Sequence, residues 1–148
     1  MLQYIALATL LATAATGLII LGAWLTRSEV RRARTRHGRH RRLPPTLVFG
    51  HVVLAGGTVA TWTFFLLTGT RLIAAVAVTF LLLTAVLGFT MLLRWYPTYR
   101  TAEPFGTGPG AAHRLPPARN LPLRVVITHG CFALAAAALI LTAFISTR

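Results

Sequence analysis

The sequence predicts an all-α integral membrane protein, a bundle of four membrane-spanning helices. Hydrophobic residues make up 55% of the 148 residues, and the mean hydropathy is +0.68. The charged residues lie in a few short stretches, a distribution typical of a chain solvated by lipid. Four apolar segments without Lys, Arg, Asp or Glu are each long enough to cross a hydrocarbon core of about 30 Å: residues 2–25, 47–68, 72–93 and 125–145.

The first segment, residues 2–25, is expected to stay in the membrane. No basic residue precedes it, and it is too long for the apolar core of a signal peptide. The loop that follows, residues 26–46, contains eight arginines, which predict contact with anionic lipid headgroups and with a peripheral protein partner. They are Arg27, Arg31, Arg32, Arg34, Arg36, Arg39, Arg41 and Arg42.

The second and third segments are joined only by a tight turn at residues 68–71, which predicts that they are antiparallel neighbours. The loop between the third and fourth segments, residues 94–124, contains six prolines and three glycines. Because proline lacks a backbone donor and breaks regular elements, we expect this loop to be irregular. The whole chain is thereby predicted to be a single membrane domain.

The positions of the basic residues predict the orientation of the bundle. Thirteen of the fifteen lie in the two long loops, and only Arg71 and Arg148 lie at the other ends of the helices. The positive-inside rule then places both loops in the cytoplasm and both termini outside the cell membrane. A net charge of +13 also suits nucleic-acid binding, but charge confined to loops between spanning helices argues against it. All fifteen are arginine, which is typical of a GC-rich genome and favours an actinobacterial source.

An internal repeat predicts two tandem helical hairpins related by an axis along the membrane normal. A weaker similarity joins Ile20-Leu21-Gly22 to Val86-Leu87-Gly88. The stronger alignment is gapless and pairs Leu43-Pro44 with Leu121-Pro122, Val48 with Val126, His51 with His129, and Ala55 with Ala133.

His51 and His129 are the candidate site residues. Each follows its proline by seven residues, about 10 Å of helix, so both imidazoles are expected at matching depth. Ionisable side chains inside a membrane are functional candidates by default. One hypothesis is a b-type haem held by both histidines. Its propionates would then pair with Arg42, Arg94 and Arg124.

Two other interpretations of the pair stay open. A quinone headgroup requires one histidine and a polar neighbour such as Thr58 or Thr128. A purely structural role, in which each histidine bonds a neighbouring helix, requires no ligand at all. Small residues next to each ring, including Gly50 and Gly130, are expected to leave space beside it.

The remaining residues do not predict an enzyme. Both carboxylates, Glu29 and Glu103, lie in loops, so a buried acid–base pair is not expected. Cys131, the one cysteine, lies two residues from His129, and residues two apart on a helix do not face each other. The loop histidines are expected to be solvated: His37, His40 and His113.

Two short segments, Phe49-Gly50-His51 and the run from Thr128 to Leu134, resemble small four-helix membrane proteins of actinobacteria. The paired histidines are also similar to those of haem-bearing membrane anchor subunits of respiratory enzymes. This resemblance implies an association with the respiratory chain. The primary hypothesis is therefore a non-catalytic accessory or adaptor subunit of a larger membrane assembly, and the alternative is an electron-transfer protein that binds haem b or quinone through His51 and His129.

Overall fold

The computed structural model describes residues 1–32, 44–100 and 123–146, with side chains for residues 1–26, 44–96 and 123–146. Every described element is a helix, and four of them follow in order: α1 (Leu2–Arg32), α2 (Pro45–Thr68), α3 (Arg71–Arg100) and α4 (Leu123–Ser146). Each contains a stretch long and apolar enough to cross a membrane. The predicted all-α, four-helix membrane fold is confirmed.

The helices extend beyond the apolar segments that were predicted to span the membrane. Helix α1 continues to Arg32 and α3 continues past Pro97 to Arg100, beyond the predicted ends at residues 25 and 93. An apolar run marks only the part of a helix that lipid can solvate, whereas helical hydrogen bonds are internal and persist outside it. Helix α2 begins at Pro45, two residues early, because the fixed φ and missing N–H of proline suit the first helical position.

The predicted tight turn between α2 and α3 is confirmed. Gly69 closes α2 with φ at 67° in the left-handed region, and its N–H donates to the Phe65 carbonyl over 2.8 Å. Glycine adopts this conformation without a Cβ clash. The turn makes α2 and α3 antiparallel neighbours, as the sequence predicted.

The closest helix pairs are not the ones joined by the long loops. Helix α2 packs mainly on α3, and α1 packs mainly on α4, whereas α1–α2 and α3–α4 have smaller interfaces. The backbones of α1 and α3, and those of α2 and α4, lie diagonally opposite and do not approach. Each helix of the first predicted hairpin thus packs mainly on a helix of the second.

The two halves of the chain bury equivalent side chains, which supports the predicted repeat. The register proposed for the first helices is wrong, however, because Gly22 faces open space while Gly17 and Gly88 make identical contacts. In the corrected register the α1–α3 identities are Ala6 with Ala77, Leu10 with Leu81, Leu11 with Leu82, Thr13 with Thr84, Ala14 with Ala85, Gly17 with Gly88, Leu21 with Leu92, and Trp24 with Trp95.

The core fills one end of the bundle. We call this the turn end, where α2 meets α3, and we call the opposite end, where α2 and α4 begin, the loop end. The described core cluster lies entirely between the histidines and the turn end: Ala6, Leu10, Trp62, Phe65, Ala74, Ala77, Leu81, Ala136, Ile140 and Ala143. Five of these are alanines, and small side chains allow membrane helices to approach closely.

Polar groups at the turn end have partners within the bundle. The indole Nε1 of Trp62 donates to the Gln3 carbonyl over 3.2 Å, which joins α2 to α1. The guanidinium carbon of Arg71 lies 5.6 Å from the centre of the Phe144 ring, which joins α3 to α4. These contacts match the need to satisfy polar groups where water is scarce.

We expect Ala136→Leu to destabilise the bundle by about 1–3 kcal/mol, because the added methylenes enter a filled core. Ala136 is fully buried, whereas Ala138, two residues further along α4, is exposed. Ala138→Leu is therefore the matched control, and it should change stability little. Unfolding in mixed detergent, followed by circular dichroism, measures both, and equal effects would contradict the assigned core.

Candidate functional site

His51 on α2 and His129 on α4 meet across the diagonal of the bundle. Their ring centroids are 6.4 Å apart, and the ring planes are inclined by 65°. Both rings are half-buried and lie at the inner boundary of the core, toward the loop end. The structure therefore brings together the two residues that the repeat paired in the sequence.

Each imidazole bonds a backbone carbonyl on the helix it packs against. Nδ1 of His51 lies 3.0 Å from the Thr84 carbonyl, and Nδ1 of His129 lies 3.0 Å from the Thr13 carbonyl. A carbonyl can only accept, so Nδ1 carries the hydrogen in both rings. In the neutral imidazole Nε2 then holds a lone pair that can accept a hydrogen bond or bind a metal.

A glycine lies against each imidazole ring, one helical turn after the carbonyl that the ring bonds. A Cβ added at Gly17 would lie 3.0 Å from Cε1 of His129, and one added at Gly88 would lie 3.0 Å from Cε1 of His51. Any larger side chain would push the ring away from its carbonyl. The two sites are thus equivalent cradles, each built from a threonine carbonyl and a glycine four residues later.

The sequence prediction named the wrong small residues. A Cβ at Gly130 would meet nothing within 4 Å, and one at Gly50 would meet only Leu87. The decisive glycines lie on the neighbouring helices. The signal that could have found them is the shared pattern Thr-Ala-x-x-Gly, which occurs at residues 13–17 and 84–88.

Neither Nε2 has a hydrogen-bond partner in the part of the chain that the structure describes. Two adjacent rings therefore each bring an unpaired acceptor into a largely apolar environment. An acceptor that is shielded from water and left unsatisfied costs free energy, and both rings are half-buried. A metal ion or a hydrogen-bond donor shared between the rings would remove that cost.

Few of the described side chains between the histidines and the loop end are buried. Val48 is the one buried side chain described in this half. Trp24 on α1 meets Phe49 on α2 edge-on, with ring centroids 6.2 Å apart. The described core cluster lies on the other side of the histidines, toward the turn end.

The other predicted site residues have varied positions. Arg94 and Arg124 are exposed near the loop end. The hydroxyl of Thr58 donates to the Leu54 carbonyl over 2.9 Å, and Thr128 is exposed, so the structure brings neither predicted quinone partner to a histidine. The polar neighbour it does bring is Thr16, whose Oγ1 lies 3.2 Å from Nδ1 of His129.

Several predicted contact residues lie outside the residues whose side chains are described. They are the eight arginines of the first loop (Arg27, Arg31, Arg32, Arg34, Arg36, Arg39, Arg41 and Arg42), the loop histidines His37, His40 and His113, and the carboxylates Glu29 and Glu103. Among the described residues, no group of three or more His, Cys, Asp or Glu side chains could hold a metal ion. Two imidazoles are the whole described ligand set.

No known protein family, curated protein or solved structure matches the chain. Its function therefore has to be argued from the histidine pair and its surroundings.

We expect Gly17→Ala and Gly88→Ala each to move one imidazole, because the new methyl group would meet Cε1 at 3.0 Å. The helix gains about 1 kcal/mol of propensity from alanine, so folding should survive while the ring's bond to its carbonyl lengthens. Gly22→Ala is the matched control, with nothing within 4 Å of its Cβ. Imidazole ¹H–¹⁵N spectra of the detergent-solubilised protein report the change, and unaltered ring signals in both cradle variants would contradict the assigned contacts.

Proposed function

We propose that the chain is a small membrane subunit that binds haem b, whose iron His51 and His129 would hold. The observation that carries this proposal is the pair of facing imidazoles whose Nε2 atoms are both unpartnered within the described residues. A single haem iron with two histidine ligands satisfies both lone pairs at once.

The separation of the rings is compatible with one ligand shared between them, since their centroids are 6.4 Å apart. Each Nδ1 is already bonded to a helix carbonyl, so Nε2 is the nitrogen that each ring would offer to the iron.

Backbone carbonyls and glycines of the neighbouring helices would position the two ligating rings. The carbonyls of Thr13 and Thr84 hold Nδ1–H, which fixes the tautomer, orients the ring and strengthens it as a donor. Gly17 and Gly88 let each ring lie against its neighbouring helix. The filled core on the turn side keeps water and ligands from reaching the pair from that end. Haem b, when bound, would supply reversible one-electron transfer.

The loop end is where propionates and redox partners would lie. Arg94 is six residues from Gly88, and Arg124 is five residues from His129, so their backbones stand roughly 7–9 Å from the histidine level along the helix axis. The excess of arginine at this end also supports the cytoplasmic orientation of both long loops. Electrons would then enter and leave on the cytoplasmic side of the cell membrane.

An accessory role in a larger assembly is compatible with this proposal. A one-electron carrier needs a donor and an acceptor, and those partners would have to be other molecules. The arginines of the first loop could steer an acidic partner or hold anionic lipid. A place in the respiratory chain would follow from such a role.

We expect His51→Ala and His129→Ala each to abolish b-type absorption bands, because each removes one of the two residues that would hold the iron. His113→Ala should leave the bands unchanged. A reduced-minus-oxidised spectrum of the protein purified in mild detergent from its native membrane is the measurement, and added imidazole should partly restore the bands in the first two variants. A spectrum of the unaltered protein without b-type bands would contradict the haem proposal. The histidines would then serve only to join helices.

The accessory role predicts that larger membrane proteins co-purify with the chain. Replacing the arginines between Arg31 and Arg42 by glutamine should remove peripheral partners by weakening electrostatic attraction, while the haem bands persist. Arg148→Gln, at the opposite end, is the control. Mass spectrometry of the purified preparations identifies the partners. A chain that isolates alone, from cells whose complexes do not depend on it, would contradict this role.

A further inference from the structure

The two cradles differ in polarity at the residue just before each glycine. Their carbonyls and glycines are equivalent, but the residue just before each glycine is Thr16 beside His129 and Leu87 beside His51. Thr16 Oγ1 lies 3.2 Å from Nδ1 of His129. Leu87 is apolar, and its Cδ1 approaches Gly50. An otherwise two-fold site therefore has a hydroxyl on one side only.

The hydrogen-bond directions around Thr16 are determined by its neighbours. Its Oγ1 lies 2.9 Å from the Thr13 carbonyl and 3.1 Å from the Ala12 carbonyl. Because carbonyls only accept, the hydroxyl hydrogen points to them, and the oxygen's lone pairs are left to accept from the ring. Nδ1–H of His129 thus lies between two acceptors, the Thr13 carbonyl and Thr16 Oγ1. Among the residues that the structure describes, Nδ1–H of His51 has the Thr84 carbonyl alone.

We propose that Thr16 is a positioning residue that makes the two imidazoles unequal. His129 is held by two acceptors and is the more rigid ring and the stronger electron donor at Nε2. His51 is held by one acceptor and is the weaker donor. Acceptors at the outer nitrogen of a ligating histidine fix its orientation and raise its basicity. The consequence for a bound metal rests on the haem function proposed above, whereas the inequality of the rings does not.

The first experiment measures exchange of the ring N–H hydrogens with solvent by NMR, on the full chain without haem in detergent. We expect Nδ1–H of His129 to exchange about fivefold more slowly than that of His51, as the net strength of one added hydrogen bond implies. Thr16→Val should remove this difference, and Thr16→Ser should keep it. Leu87→Thr should slow exchange at His51. Thr90→Val is the control, because the Thr90 hydroxyl bonds only the Val86 carbonyl of its own helix.

The second experiment measures the midpoint potential of the haem-loaded protein. Thr16→Val should raise the potential, because a weaker donor stabilises ferric iron less, and Leu87→Thr should lower it. Equal exchange rates at the two histidines, or a difference that survives Thr16→Val, would overturn the proposal whatever the spectrum shows. Unequal exchange rates that become equal in Thr16→Val would support the proposal. That result would hold even if the protein showed no b-type bands and the haem function had failed.

Discussion

The bond from each imidazole to a helix carbonyl is the contact on which the site depends. In a bilayer the helix backbone forms its own hydrogen bonds. An imidazole in that environment must find a hydrogen-bond acceptor within the protein. A helix carbonyl has two lone pairs, so the carbonyls of Thr13 and Thr84 can accept from the ring in addition to their helical bonds. For the ring to reach that lone pair, the neighbouring helix must come close, and Gly17 and Gly88 permit this. Because of this bond, the residue four positions after each bonded carbonyl has to be a glycine.

The same bonds explain why packing is strongest between helices that are not joined by the long loops. His51 on α2 bonds α3, and His129 on α4 bonds α1. Each close helix pair contains one histidine and one Thr-Ala-x-x-Gly segment. If the chain is a duplicated hairpin, neither hairpin holds a complete cradle, because the histidine of each hairpin needs the glycine of the other. Two copies are required before either ring is accommodated, which is a physical reason to retain both halves.

The part of this structure that the sequence could predict follows from local properties. Apolar length specifies the four spans, and the turn at Gly69 specifies that α2 and α3 are neighbours. The gapless alignment around His51 and His129 pairs the histidines correctly. The glycine cradles could not be predicted in the same way, because they depend on which face of α1 meets α4. The misaligned match at Gly22 shows the difficulty: in alanine- and leucine-rich helices several registers look alike, and only the contact with an imidazole distinguishes Gly17.

The described core and the histidine pair divide the bundle along its axis. Alanines, Trp62 and Ile140 pack the turn end. The histidines lie at the inner edge of that core, and both rings are half-buried. Each Nδ1 already joins two helices through a carbonyl, whereas neither Nε2 has a partner among the described residues. Helix pairing therefore uses one nitrogen of each ring, and the second nitrogen of each ring is the atom left for a ligand.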